Sequence, residues 1–383
     1  MTQHALDDLR VLDVSTSMSG AWCSRLFADF GADVIAIEPP EGSPLRSLEP
    51  RDTSGTSIPA AYVLANKRSG VLDPRAEDDR ERLRRLAVDC DVIVESAEGG
   101  SLEAWGLDYE ELQAAVSGLA VVAITPHGLT GGRAGRPGND LTAWAQSGWA
   151  SINGLAARES LKGSGFVASY IAGVAAYGAA ISAIVHRDRG GEGQRIDVAE
   201  AEALLEIFGP ALLGAAFGGP RTRRARMDIT GTSPAPVRDG YFAIRFPGND
   251  RYRDSLIALG LIEEADDPRW ESPAARGSEE FVELVQRKML EWDRMDLFEA
   301  LSTMRISGGP VLTMGELMGN EHLRARGYWV RPLDASEGPE YAGAPAILSR
   351  TPWSLRRRPP TPGEHSEEIL ANAEGTTTGG RDA

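Results

Sequence analysis

The stretch RVLDVSTSMSGAWCSRLFADFGADVIAI, residues 10–37, decides the fold. Its Val- and Leu-rich start, residues 10–14, reads as a short strand, and residues 15–20 as a loop. Residues 21–30 then read as a helix with Trp22, Leu26, Phe27 and Phe30 on one face. Gly31, Ala32 and Asp33 turn the chain into a second strand over residues 34–37. A strand–helix–strand unit this short implies parallel pairing through a right-handed crossover. The alternation continues outward. Residues 71–73, 92–95 and 119–125 read as further strands, and residues 78–89 as a charged helix with Leu83, Leu86 and Ala87 inward. Residues 39–60, rich in Pro, Ser, Gly and Arg, read as a long surface loop. Such alternation predicts an open α/β sheet, whose ligands sit beyond the carboxyl ends of its strands. Here those ends fall at residues 15–19, 38–40, 95–100 and 126–138. The first of these loops has no Gly-x-Gly-x-x-Gly, so a dinucleotide fingerprint is missing.

The middle of the chain, GSGFVASYIAGVAAYGAAISAIVHRDRGGEG (residues 163–193), reads as one long helix with a basic, glycine-rich exit. Val167, Tyr170, Ile171, Val174, Tyr177, Ile181, Ile184 and Val185 recur at three- and four-residue spacing and predict one buried stripe. Gly173 and Gly178 each cost about 1 kcal/mol of helix propensity relative to alanine, which close packing would offset. The segment is too rich in Gly, Ala and Ser to predict a membrane span. Just upstream, Asp140 opens a helix with Leu141, Trp144, Ala145 and Gly148 as its expected inner side. An aspartate there reads as a cap.

After a strand at residues 195–198 and a helix at 201–213, the basic stretch 215–233 marks a domain boundary. A strand at 241–246, helices at 251–259, 279–291 and 294–304, and a Thr313/Glu316 capping box compose a smaller α+β unit. The expected division is therefore residues 1–215, 226–330, an arm over 331–371 containing RRRPPTP, and a disordered tail over 372–383.

A length of 383 residues accommodates two domains. A net charge of −16 argues against nucleic-acid binding, because a phosphate backbone would be repelled over most of the surface. Two cysteines, Cys23 and Cys90, without a CxxC pair, fit a reducing cytoplasm and no structural metal. The start of the chain shows no basic segment ahead of an apolar run, so no secretory leader is expected.

LDDLRVLDVSTSMSGAWCSRLFADFGADVIAIEPPEGSPLR resembles the opening of the class III CoA-transferases, which include formyl-CoA transferase, the carnitine CoA-transferases and the α-methylacyl-CoA racemases. The likeness runs on through ANKRSGVLD, DCDVIVESAEGGSLEAWGLDYEEL, TGGRAGRPGNDLTAWAQSGWASING, GGEGQRIDVAEAEALL and TPGEHSEEIL. It implies a large Rossmann-like domain formed by both chain ends, a smaller α+β domain, and two chains interlocked as rings. It also implies coenzyme A thioesters as substrates, with no metal. In that chemistry a carboxylate attacks the thioester, becomes a mixed anhydride, then an aspartyl-CoA thioester, and is finally discharged by the acceptor acid.

The resemblance places the nucleophilic aspartate four residues before Gly173, where this chain has Ser169. Asp140 matches the family's second active-site carboxylate. Lys67, Arg68 and Arg136 are the cations expected near the CoA phosphates, and Ser96-Ala97 replaces an Asn-Phe or Asn-Tyr pair at the cofactor site. Met18 stands for a glutamine, and Asn139 for the histidine of the racemases, so a racemase proton shuttle is not expected. A serine cannot become an aspartyl-CoA. The expectation is thus the non-nucleophilic subunit of a heteromeric CoA-transferase, paired with a paralogue that carries the aspartate. A self-sufficient transferase using Asp140, as a homodimer, and an acyl-CoA-binding protein without turnover are the alternatives. Nucleic acid and membrane are not expected partners.

Overall fold

A computed structural model describes residues 4–96, 100–155, 157–207, 209–218, 234–244 and 251–375. The chain forms two compact units, one of residues 1–149, 162–213 and 322–383, the other of residues 150–161 and 214–321.

The larger unit is built on β1 (Arg10–Asp13), α1 (Met18–Asp29), β2 (Asp33–Glu38), α2 (Ile58–Leu64), β3 (Arg68–Val71), α3 (Glu77–Val88), β4 (Val92–Ser96), α4 (Tyr109–Ala115) and β5 (Ala120–Thr125). It continues with α5 (Asp140–Gln146), α6 (Trp149–Ile152, shared with the smaller unit), α7 (Val167–Asp188), β6 (Arg195–Ala199), α8 (Glu200–Glu206) and α9 (Gly209–Ala216, likewise shared). All six strands pair in parallel in the order β3-β2-β1-β4-β5-β6. That is the order of a Rossmann-type sheet, and its direction of winding reverses between β1 and β4. Alternation along each strand sends Val11, Val34, Val92 and Val122 to the α1/α7 side and Leu12, Ile35, Ile93 and Val121 to the α3/α4 side. The stretch expected to be loop up to residue 60 already contains the start of α2, capped by Ser57.

The buried face of α7 differs from the expected one. Ala168, Ser169, Ala172, Gly173, Ala176, Ala180, Ala183 and Ile184 are buried, while Val167, Val174 and Val185 are exposed. The small side chains are what lets α1 lie against α7. A Cβ on Gly173 would come within 2.7 Å of the Ser19 carbonyl oxygen. By length and apolarity α7 could cross a membrane, contrary to the sequence expectation, but its alanine face is already covered by α1 and the sheet.

The smaller unit has a three-stranded antiparallel sheet of β7 (Ala235–Val237), β8 (Gly240–Ile244) and β9 (Gly308–Pro310), with β8 central. Helices α10 (Tyr252–Leu259), α11 (Ile262–Ala265), α12 (Pro273–Arg276), α13 (Glu279–Met289), α14 (Arg294–Thr303) and α15 (Met314–Met318) belong to it. Its core centres on Phe242, Leu256, Phe281, Val285 and Leu297.

The chain re-enters the larger unit through α16 (Glu321–Ala325), the β10 (Trp329–Val330)/β11 (Tyr341–Ala342) ribbon and α17 (Ser366–Gly375). The anchor for this return is Asn66, buried with a left-handed backbone (φ 68°). Its Oδ1 accepts from the Arg356 and Arg357 amides at 2.6 and 3.0 Å, and its Nδ2 donates to the Ser354 carbonyl at 2.8 Å. Beyond it, the His365 amide donates to the Ser69 carbonyl at 2.9 Å, and Ile369 is buried beside Leu12, Ile35 and Ile37. The last turn of α17 covers residues 372–375, which composition assigns to the disordered tail.

Candidate active site

A cavity of about 750 Å³ opens where β1 and β4 part, at the carboxyl ends of β1, β4 and β5. This is where a parallel sheet leaves room for a ligand. Thr16, Met18, Ser96, Asp140, Ser169 and Glu200 are among its walls. The Ser96 hydroxyl accepts from the Thr16 amide at 3.0 Å and so ties the loop after β1 to the end of β4. Gly100 lies against this junction, since a Cβ there would meet Ser96 Oγ at 2.4 Å.

Asp140 is not the cap of its helix. Asn139 is: its side chain accepts from the Thr142 amide, and Thr142 Oγ1 accepts from the Asn139 amide in return. That frees the Asp140 carboxylate, buried at the first turn of α5, for tertiary contacts. Its Oδ1 accepts from the Ser169 backbone N–H at 3.1 Å, and its Oδ2 accepts from Lys162 Nζ at 2.7 Å. The Lys162 ammonium is held in turn by the Gly163 and Gly165 carbonyls. Ser169 is the third residue of α7, so Asp140 satisfies one of that helix's open amides at the positive end of its dipole.

Ser169 is 4% exposed and lines the cavity together with Glu200. Glu200, 5% exposed, opens α8 directly after β6. Burial pushes its carboxyl above the usual range, against the pull of the nearby Ser19 and Ser169 hydroxyls and of His127, while the Asp140 charge adds to the rise. Glu200 was missed at the sequence level because it lies on the junction of strand and helix, with α8 read as starting one residue later. The available signal was its place at the carboxyl end of a parallel strand. Lys162 gave no signal, because its partner lies 22 residues away.

The other expected site residues divide. Arg136 is exposed at the cavity rim and makes no ion pair among the described residues, so its charge is open to an anion. Ala97 lies outside the described residues. Lys67 and Arg68 do not line the cavity, which corrects their expected place at the CoA phosphates. Lys67 is fully buried, with Nζ donating to Asp13 Oδ2 at 2.9 Å, the Ala21 carbonyl at 2.8 Å and Ser24 Oγ at 2.7 Å. Arg68, also buried, grips Asp33 with two bonds, at 2.9 and 2.5 Å, and reaches Glu368 on α17 at 3.2 Å. Both cations hold the fold together. The Asp13 carboxyl illustrates it: burial pushes it up, but the Lys67 ammonium and the hydroxyls of Ser15 and Ser24 outweigh that and leave it below the usual carboxylate range. Cys23 and Cys90 are buried, unpaired thiols.

Comparison with known proteins agrees with this architecture. The model of CoA-transferase family III matches residues 6–366. The chain is 30% identical over 383 residues to a succinate–glutarate CoA-transferase of Agrobacterium fabrum (strain C58), covering 96% of both chains. It is 34% identical over 382 residues to succinyl-CoA:(R)-benzylsuccinate CoA-transferase subunit BbsE of Thauera aromatica, covering 94% of this chain and 92% of that one. Among solved structures, a CAIB/BAIF family protein from Brucella suis superimposes with a TM-score of 0.87 at 29% identity, over 97% of this chain and 100% of that one. Matched almost from end to end in both sequence and fold, the chain belongs to CoA-transferase family III.

Proposed function

We propose that this chain is one subunit of a heteromeric acyl-CoA:carboxylate CoA-transferase, the subunit in which residue 169 is not the acyl carrier. That role falls to a paralogous partner with an aspartate at the corresponding position. The observation that carries this reading is Ser169 itself, buried in the cavity wall at the head of α7. A carboxylate carrier takes the acyl group as an anhydride and then takes CoA as a thioester on its own carbonyl carbon. A serine hydroxyl has no such carbon. It could hold only the acyl group, as an oxygen ester, and could never hold CoA.

Asp140 is a poor substitute, since Lys162 occupies one of its oxygens and the Ser169 amide the other. The likeness to BbsE, which is named as a subunit, favours a paired assembly. The substrates are then a CoA thioester and a free carboxylic acid, and succinyl-CoA is the first donor to try. We place the assembly in the cytoplasm, where its two buried thiols stay reduced.

The test is co-expression with a neighbouring paralogue that has the aspartate. A stable mixed dimer that exchanges CoA, and loses the exchange when the partner's aspartate becomes asparagine, is the expected result. Brisk steady-state exchange by this chain alone would refute the assignment.

A further inference from the structure

Glu200 is not accounted for by the subunit reading. It is a buried carboxylate in the wall of the cavity, and no cation forms an ion pair with it among the described residues. Asp140 has Lys162; Glu200 has no such ion pair among the described residues. Burying a carboxylate without a cation costs folding free energy, and such groups gather at sites of chemistry. The two wall carboxylates are therefore unequal. One is neutralised and tied at both oxygens. The other has no ion pair among the described residues and shares the cavity wall with the residue that lacks a carboxyl group.

We propose that Glu200 is an acyl-accepting carboxyl in this chain's own cavity, standing beside Ser169 in place of the carboxylate that position lacks. A Glu200 oxygen adds to the carbonyl carbon of a bound CoA thioester. The C–S bond breaks, CoA leaves as thiolate, and a glutamyl–acyl anhydride remains. The thiolate then adds to the Glu200 carbonyl carbon and expels the original acid as its carboxylate, giving a glutamyl-CoA thioester. An acceptor carboxylate reverses both steps: it displaces CoA as thiolate to form a new anhydride, and the thiolate takes the new acyl group and frees Glu200. Every bond formed is matched by one broken, and no oxidant or metal enters. Within a heteromer this adds a second, slower carrier to the partner's aspartate.

The experiment uses the purified full chain, free of any paralogue, with succinyl-CoA, glutaryl-CoA and acetyl-CoA as probes. Binding of each is measured by calorimetry. Bound samples are quenched with hydroxylamine, which converts a glutamyl thioester or anhydride to a hydroxamate, and digested with trypsin. The expected result is a hydroxamate at Glu200 in the peptide of residues 196–221, reduced to background in Glu200→Gln. A probe that binds without modifying Glu200, or that modifies Asp140 or Ser169 instead, overturns this proposal and leaves the subunit reading intact. Failure of all three probes to bind overturns both. Because the wild-type map decides, the outcome does not depend on the variants folding.

Discussion

Replacing Lys67 with methionine separates a structural cation from a phosphate-binding one. The side chain is fully buried, and its ammonium is the only positive charge on Asp13 within hydrogen-bond reach among the described residues. Methionine keeps the bulk and removes the charge, leaving the Asp13 carboxylate with only the hydroxyls of Ser15 and Ser24 and the Ser15 amide. Two costs compete. An unpaired buried carboxylate costs roughly 3–5 kcal/mol. The carboxyl can instead take up a proton, which from an ordinary value of 3.8 costs about 4 kcal/mol at pH 7 but only about 1.6 kcal/mol at pH 5. Protonation therefore sets the ceiling. Lys67→Met should lose about 4 kcal/mol at pH 7, a fall in Tm of roughly 5–7 °C for a unit of this size, and recover more than half of that loss at pH 5. The assay is urea unfolding followed by tryptophan fluorescence at both pH values, with CoA affinity measured on the folded protein. Asp13→Asn in the same background should restore much of the stability at pH 7. A variant with unchanged stability and weakened CoA binding would refute the reasoning and return Lys67 to the ligand.

Gly173→Ala gains about 1 kcal/mol of helix propensity, but its methyl group would sit within 2.7 Å of the Ser19 carbonyl oxygen. Overpacking of about 1–3 kcal/mol should win, so calorimetry should show a lowered Tm, and a raised one would contradict the close α1–α7 contact. Asn66→Ala removes bonds to two amides and one carbonyl of the return arm, so it should cost about 2–4 kcal/mol and speed tryptic cutting at Arg356–Arg358. Unchanged cutting would show that the arm does not depend on it. The Glu200 carboxyl is raised by burial and then by Asp140, so the folded chain holds its proton more tightly than the unfolded chain. Its contribution is complete below 4.5 and is lost as pH rises through the folded value. Glu200→Gln, with no proton to lose, should gain stability relative to the wild type as pH is raised across that window; a flat difference in urea midpoints would contradict it.

Much of the larger unit was legible because its strands are short β-branched runs such as Val92–Ser96, separated by helices with clear apolar faces. The helix and strand order needed only local pattern. The buried face of α7 was misread because periodicity weights large apolar residues, whereas the contact with α1 selects small ones. Asp140 looked like a cap because helix starts favour aspartate, and only the Asn139–Thr142 pair, one residue earlier, releases it. Lys67 and Asp13 are 54 positions apart, so their pairing is a property of the sheet and not of either neighbourhood. Ser169 and Glu200 come together for the same reason: α7 runs back along the sheet before β6 returns to the carboxyl edge where α8 begins.

The Asn66 anchor has a consequence for how the protein is made. Its hydrogen-bond partners in the return arm and the apolar plug at Ile369 are translated only after the whole smaller unit. Until then the β3 edge has no cover, and a half-finished polypeptide presents it to solvent and to other nascent chains. Closing contacts across nearly 300 residues is also slow, so vectorial synthesis should leave a window in which chaperones or a partner chain can act on the uncovered edge.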